Sequence, residues 1–138
     1  MKKILLPLLL LLSIVARAQM WNGTDTLYGN EWIDFSKTYF KIRVADDGIY
    51  RVPYQVLVSA GIPVGNIPAS QFRLYRYGIQ EPIFTTTNDV FGNQDYIEFF
   101  GEKNRSAVDN YLFANPAAEN LNPAYSLFND TTIYYLTW

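Results

Sequence analysis

The chain predicts an all-β fold, an antiparallel β-sandwich or barrel-like domain with one short helix. Three observations predict it. Short stretches alternate apolar with polar residues, as Phe40, Ile42 and Val44 do with Lys41 and Arg43, which is the period of a strand with one buried face. Clusters of Gly, Pro, Asn and Asp separate these stretches at short intervals, a rhythm of strands and turns rather than of alternating strands and helices. Aromatic side chains make up 17% of the residues, enough large rings to fill the space between two sheets.

The elements follow in order. Residues 19–30 are polar and Gly-bearing, a flexible leader. Glu31–Phe35 has the composition of a first strand. Tyr39–Val52 predicts a hairpin that turns at Asp46-Asp47-Gly48, because an Asp-Gly pair supplies the positive φ of a tight turn. Pro53–Ala60 predicts the helix, with Pro at its first turn and Gly61 as the C-terminal cap; Val56 and Val58 weaken it through their stiff side chains. Pro63, Gly65 and Pro68 make 62–70 an irregular connection. Phe72–Tyr77 alternates again and meets Gly78, the turn of a second hairpin. Its return strand, Gln80–Thr87, is edge-like, since Pro82 cannot donate to a ladder. Asn88–Gln94 is a polar loop, Asp95–Phe100 a strand closed by Gly101, and Glu102–Asn110 a polar, exposed loop. Tyr111–Phe113 is a short ordered segment between loops, and Thr132–Trp138 is the last strand. No repeat or low-complexity tract occurs.

The N-terminus has the composition of an export signal, residues 1–18. Lys2 and Lys3 precede the apolar run Ile4–Val15, and Ala16-Arg17-Ala18 supplies a small-x-small cleavage site before Gln19. A run of twelve residues is short for a membrane span, which needs about 20, and no Cys follows it for lipidation. Cleavage would take three of the eleven basic residues and none of the thirteen acidic ones, moving the net charge from −2 to −5. That charge argues against a nucleic-acid partner, which requires a basic face. With neither Cys nor His, the chain lacks the thiolate and imidazole of Cys-His and Ser-His-Asp catalysis and the usual zinc ligands. It also lacks disulfides, so an exported domain must be held by its core.

Few residues suggest a site, and the expectation is that there are no catalytic, cofactor-binding or metal-binding residues. Asn88–Asp95 loosely resembles a calcium loop, but position 90 is Val and the ligand spacing fails. Asp95 and Glu98, three apart on a strand, point to opposite faces and cannot flank one glycosidic bond. Asp46 and Asp47 are neighbours in a turn. Phe99, Phe100, Tyr134, Tyr135 and Trp138 would form a sugar-stacking platform only if their rings shared a face, whereas adjacent strand residues alternate. Core packing is the better use of these rings. Aromatics on both faces of the last strand, which runs to Trp138 with no polar tail, suggest a surface covered by a further domain and a chain that is a fragment of a longer protein.

Four phrases carry a resemblance in order: Phe40–Val44, Asp47-Gly48-Ile49-Tyr50, Phe72-Arg73-Leu74-Tyr75 and Asp95–Gly101. Across Trp32–Trp138 the chain resembles the N-terminal region of the type IX secretion system sortases of the Bacteroidota, the PorU-like members of the gingipain-type cysteine peptidases. The resemblance implies that residues 31–138 are a β-rich N-terminal accessory domain that docks or orients a downstream peptidase-like domain. It also implies work at the outer-membrane surface beside a barrel-type partner protein, with export to the periplasm or that surface. No catalytic residue carries over, because the family's Cys and His match no position here. The Asn88–Asp95 loop also departs from the family's more acidic Asp/Gly-rich loop, with Asn88 and Asn93 where acids would strengthen a metal site. A different reading of the same sequence is a free-standing exported β module that binds glycan or envelope.

Overall fold

The computed structural model describes residues 20, 21, 24, 26, 27 and 29–138. The export segment expected at 1–18 lies outside them. The chain divides into two compact units, Met1–Asp34 and Phe35–Trp138. In the first, β1 (Met20–Trp21) pairs antiparallel with β2 (Thr26–Leu27). The strand expected at Glu31–Phe35 does not form; these residues lie in turns and irregular backbone, and Ile33 N–H donates to the Asn30 carbonyl at 3.0 Å. The Gly29-Asn30 turn, with Gly29 at φ +78°, prevails over the apolar pattern that follows it.

The second unit is all-β, two antiparallel sheets around one core. Four strands order as β3 (Phe40–Val44), β9 (Thr132–Thr137), β5 (Arg73–Arg76) and β6 (Ile79–Glu81); three order as β4 (Gly48–Pro53), β8 (Tyr96–Gly101) and β7 (Phe84–Thr85). The sheets do not close into a barrel. Val44, Leu74, Tyr134 and Leu136 point inward from the first sheet, Ile97 and Phe99 from the second, and Phe72 and Phe91 join them from the connections. Alternation holds where the sequence predicts it: Lys41 and Arg43 are exposed while Val44 is fully buried and Phe40 and Ile42 pack on the core.

The Tyr39–Val52 hairpin is corrected. β3 pairs with β9 and β4 with β8, so Ala45-Asp46-Asp47 is a corner that carries the chain from one sheet to the other. Gly48 does not have a positive φ, so the turn chemistry anticipated there is not used. The acids of the corner hold other elements instead. Asp47 accepts Lys103 N–H at 2.9 Å and pairs with Arg105, and the Tyr50 hydroxyl donates to the Asp46 carbonyl at 3.0 Å.

The second hairpin forms as predicted, with β5 and β6 joined by Tyr77 (φ +51°) and Gly78 (φ +81°). Two successive positive φ values match the right-handed twist of the flanking strands. The return strand is shorter than Gln80–Thr87. Pro82 and Ile83 interrupt it, leaving β6 in one sheet and β7 in the other, because Pro breaks the ladder where the chain must turn a corner.

The helix α1 (Tyr54–Ser59) follows Pro53 as expected. It ends with Gly61 N–H on the Val58 carbonyl at 2.9 Å and Ile62 N–H on that of Leu57 at 3.1 Å. This double cap needs a left-handed residue, here Gly61 at φ +85°, and brings the buried Leu57 and Ile62 together.

One further expectation fails. The Glu102–Asn110 stretch is not simply exposed, since Asn104, Ser106 and Asp109 are buried. Asp109 accepts Leu127 N–H at 2.7 Å and the Ser126 hydroxyl at 3.1 Å, while Asn104 donates to the Asn129 carbonyl at 2.8 Å. Polar side chains go inside because the long 102–131 connection has backbone groups that no strand satisfies. The last strand carries aromatics on both faces, with Tyr134 buried and Tyr135 half-buried on the outer side. β9 is central in its sheet, hydrogen-bonded to β3 and β5, with Tyr134 and Leu136 in the core.

Candidate docking face

The outward face of the three-stranded sheet combines apolar exposure with a charged centre. On β8, Ile97 and Phe99 turn inward, which leaves Tyr96, Glu98 and Phe100 outward. On β4 the same alternation turns Ile49 and Arg51 out. Register brings Ile49 opposite Phe100, Arg51 opposite Glu98, and Phe84 of β7 opposite Glu98. Phe84, Phe100 and Ile49 are 56%, 57% and 68% exposed. Single exposed apolar residues need no explanation, but these three lie together on one face of the sheet. With Pro82 and Ile83 they line a shallow depression of about 400 Å³.

Charge at the centre is organised rather than loose. Arg51 Nε donates to Glu98 Oε1 at 2.9 Å, and its guanidinium lies 4.1 Å from the centre of the Tyr96 ring. Tyr96 in turn meets Phe84 at 6.4 Å. Pairing across strands and stacking on the ring hold the long Arg side chain in one place. The face thus presents fixed apolar and polar features, which suits recognition of a protein surface.

The residues singled out in sequence scatter. Phe99 and Tyr134 are buried, Phe100 is on the outer face just described, and Trp138 stacks on Phe40 at 5.8 Å; Tyr135 is half-buried in the other sheet. They make no common platform. Asp95 and Glu98 separate as expected. Glu98 belongs to the Arg51 pair, whereas Asp95 accepts Gly92 N–H and the Thr86 hydroxyl, both at 2.7 Å. The Gly92 N–H and then the Thr86 hydroxyl hold the Asp95 carboxyl below its ordinary pKa, the role of an acid that shapes its own loop.

The densest charge cluster sits where the two sheets meet. Burial disfavours the Arg76 charge, but hydrogen bonds to Glu81 and Glu102 outweigh it and raise the pKa. The Tyr134 hydroxyl accepts Glu102 N–H at 2.9 Å, and burial pushes this phenol above its ordinary range despite that bond and the nearby Arg76. A guanidinium bonded to two carboxylates and a phenol kept protonated form a structural lock, with neither group poised as a base or nucleophile. The chain has no cysteine, so a cysteine-peptidase active site is absent from it. Among the described residues, no helix is long and apolar enough to cross a membrane.

Sequence reasoning did not select Ile49 and Phe84, and it weighed Phe100 only as one ring of an aromatic platform. Alternation shows that one of Phe99 and Phe100 faces out, but not which. No family profile, curated protein or solved structure matches the chain.

Proposed function

We propose that the chain is the non-catalytic N-terminal β domain of a type IX secretion sortase-like cysteine peptidase, exported through a cleaved signal peptide. It docks and orients a peptidase-like catalytic domain at the cell surface, beside a barrel-type outer-membrane partner. The observation that carries the docking role is the Ile49–Phe84–Phe100 face around the Arg51–Glu98 pair. Covering side chains of this kind contributes roughly 1–2 kcal/mol each when they start about half exposed. A domain contact of about 600–1,500 Å² would enclose all three with their polar rim. The ordered sequence phrases support the kind of domain that docks.

The test is to mix the chain with the gingipain-type peptidase domain of a type IX sortase and follow association by size-exclusion chromatography and calorimetry. Co-elution is expected, and it should be lost in the triple variant Ile49→Ser, Phe84→Ser, Phe100→Ser while the melting temperature is retained. Absence of any association, or association that survives the triple variant, sinks the docking role. Intact mass of the exported product should place its first residue at Gln19.

A further inference from the structure

The three-stranded sheet ends at β4, and the backbone of that edge strand has a defined phase. Tyr54, just past β4, donates its N–H to the Asp95 carbonyl at 2.9 Å, in the register that pairs Gly48 with Gly101 and Val52 with Ile97. Antiparallel strands alternate bonded with non-bonded pairs. Gly48, Tyr50 and Val52 therefore exchange bonds with β8, whereas the N–H and C=O groups of Ile49 and Arg51 point away from it. The far side of β8 agrees. Thr86 N–H donates to the Tyr96 carbonyl at 3.3 Å, so Tyr96, Glu98 and Phe100 bond toward β7, and Ile97 and Phe99 toward β4. Among the described residues, none bonds the backbone of Ile49 or Arg51, and both residues are exposed.

A free edge invites pairing with another strand, and folds blunt it with shortness, Pro or charge. The other edges of the sandwich are blunted in these ways. β6 has three residues and runs into Pro82, β7 has two, and β3 presents the exposed Lys41 and Arg43. β4 has six residues, with Pro only at its last position. Its one charge, Arg51, is paired with Glu98 and stacked on Tyr96. This edge can therefore approach its own copy without net repulsion, as the β3 edge cannot.

We propose that β4 pairs with the β4 strand of a second copy of this chain, antiparallel about a twofold axis between the two Tyr50 residues. Two three-stranded sheets then join into one continuous sheet. In that register the free N–H and C=O groups of Ile49 meet those of Arg51 in the second copy, and the reverse, as an isologous contact requires. The side chains fit the same register. On the outer face the Arg51 methylenes cover the opposing Ile49, and the two guanidinium groups are offset rather than opposed. On the inner face Val52 lies across from Gly48, which has no side chain to clash with it. A register centred on Arg51 would set like charges opposite each other. One short strand per copy buries less than a standard interface, so the dimer is weak, with a Kd on the order of 10–100 µM. The pairing uses the edge of the sheet and the docking role proposed above uses its outer face, so either stands without the other.

The test is sedimentation velocity of the chain from about 1 µM to about 500 µM, which should show a reversible monomer–dimer equilibrium. Amide exchange followed by NMR should slow at Ile49 and Arg51 as concentration rises, while Tyr50 and Val52, bonded to β8, stay protected throughout. Ile49→Pro removes a donor that β8 does not use, and Ile49→Lys sets an ammonium against Arg51 of the second copy. Each should weaken dimerisation about tenfold or more, and Ile49→Lys, at an exposed position, should keep the parent's melting temperature. Phe84→Ser, two strands from the edge, should dimerise as the parent does. A chain that stays monomeric at the highest concentration, a dimer that survives both Ile49 variants, or one lost in Phe84→Ser would overturn the proposal. So would protection of Ile49 and Arg51 that appears only when the peptidase domain is added, which would give the edge to that partner.

Discussion

Phe99 of β8 and Tyr134 of β9 meet across the two sheets with ring centres 5.1 Å apart, and the Tyr134 hydroxyl accepts the Glu102 N–H just beyond the end of β8. One residue therefore supplies both the apolar contact between the sheets and a polar tie. Tyr134→Phe keeps the ring but leaves the Glu102 N–H without its acceptor, so a loss of about 1–2 kcal/mol is expected. Tyr134→Ala should cost about 3–5 kcal/mol through the cavity it leaves. Urea unfolding of the two variants checks the order.

The same phenol sets a pH dependence. Its pKa is raised in the folded state, above the ordinary value of about 10. The folded chain then holds the proton more tightly than the unfolded one, so this contribution is whole below the unfolded pKa and is lost as pH rises through the folded pKa. Stability measured at about pH 8 and about pH 11 should fall more in the parent than in Tyr134→Phe. An equal fall would mean that other tyrosines govern the alkaline limb.

Arg76 joins Glu81 of its own hairpin to Glu102 after β8. Arg76→Met should cost about 2 kcal/mol, since two partly buried carboxylates then lack their common cation. Arg76→Lys should restore only part of this, because an ammonium cannot reproduce the guanidinium fork. A double-mutant cycle with Glu102→Gln is the check. Additive losses would show that the bridge contributes little.

Gly101 and Gly48 face each other in register, yet they should respond oppositely. A Cβ on Gly101 would sit 2.7 Å from the Tyr50 ring, whereas one on Gly48 meets nothing within 4 Å. Gly101→Ala is expected to lose about 1–3 kcal/mol by overpacking and to recover part of it with Tyr50→Leu. Gly48→Val should stay within about 0.5 kcal/mol of the parent. Thermal melts of the variants decide it, and a costly Gly48→Val would restore the tight-turn reading.

Asp109 latches the 102–131 connection through Leu127 N–H and the Ser126 hydroxyl. Asp109→Ala should cost about 1–3 kcal/mol for the donors left unpaired. Hydrogen exchange should quicken at 120–130 ahead of β8 and β9. Uniform quickening across the sheets would make the connection part of the cooperative core.

Local patterns were legible in the chain because their causes are local. Alternation at Phe40–Val44, the Gly61 cap and the Tyr77-Gly78 turn depend on periodicity and backbone freedom within a few residues. The absence of Cys and His likewise excluded thiol chemistry without any coordinates. Strand pairing was not legible. Asp46-Asp47-Gly48 has hairpin chemistry, but β3 and β4 belong to different sheets because their partners, β9 and β8, lie far along the sequence. Which of Phe99 and Phe100 enters the core was decided by contact with Tyr134, and the free edge of β4 exists only through a register among separate strands. The sequence determined what each segment tends to do; the tertiary structure decided which faces are buried, because burial is a property of pairs of segments brought together by the core.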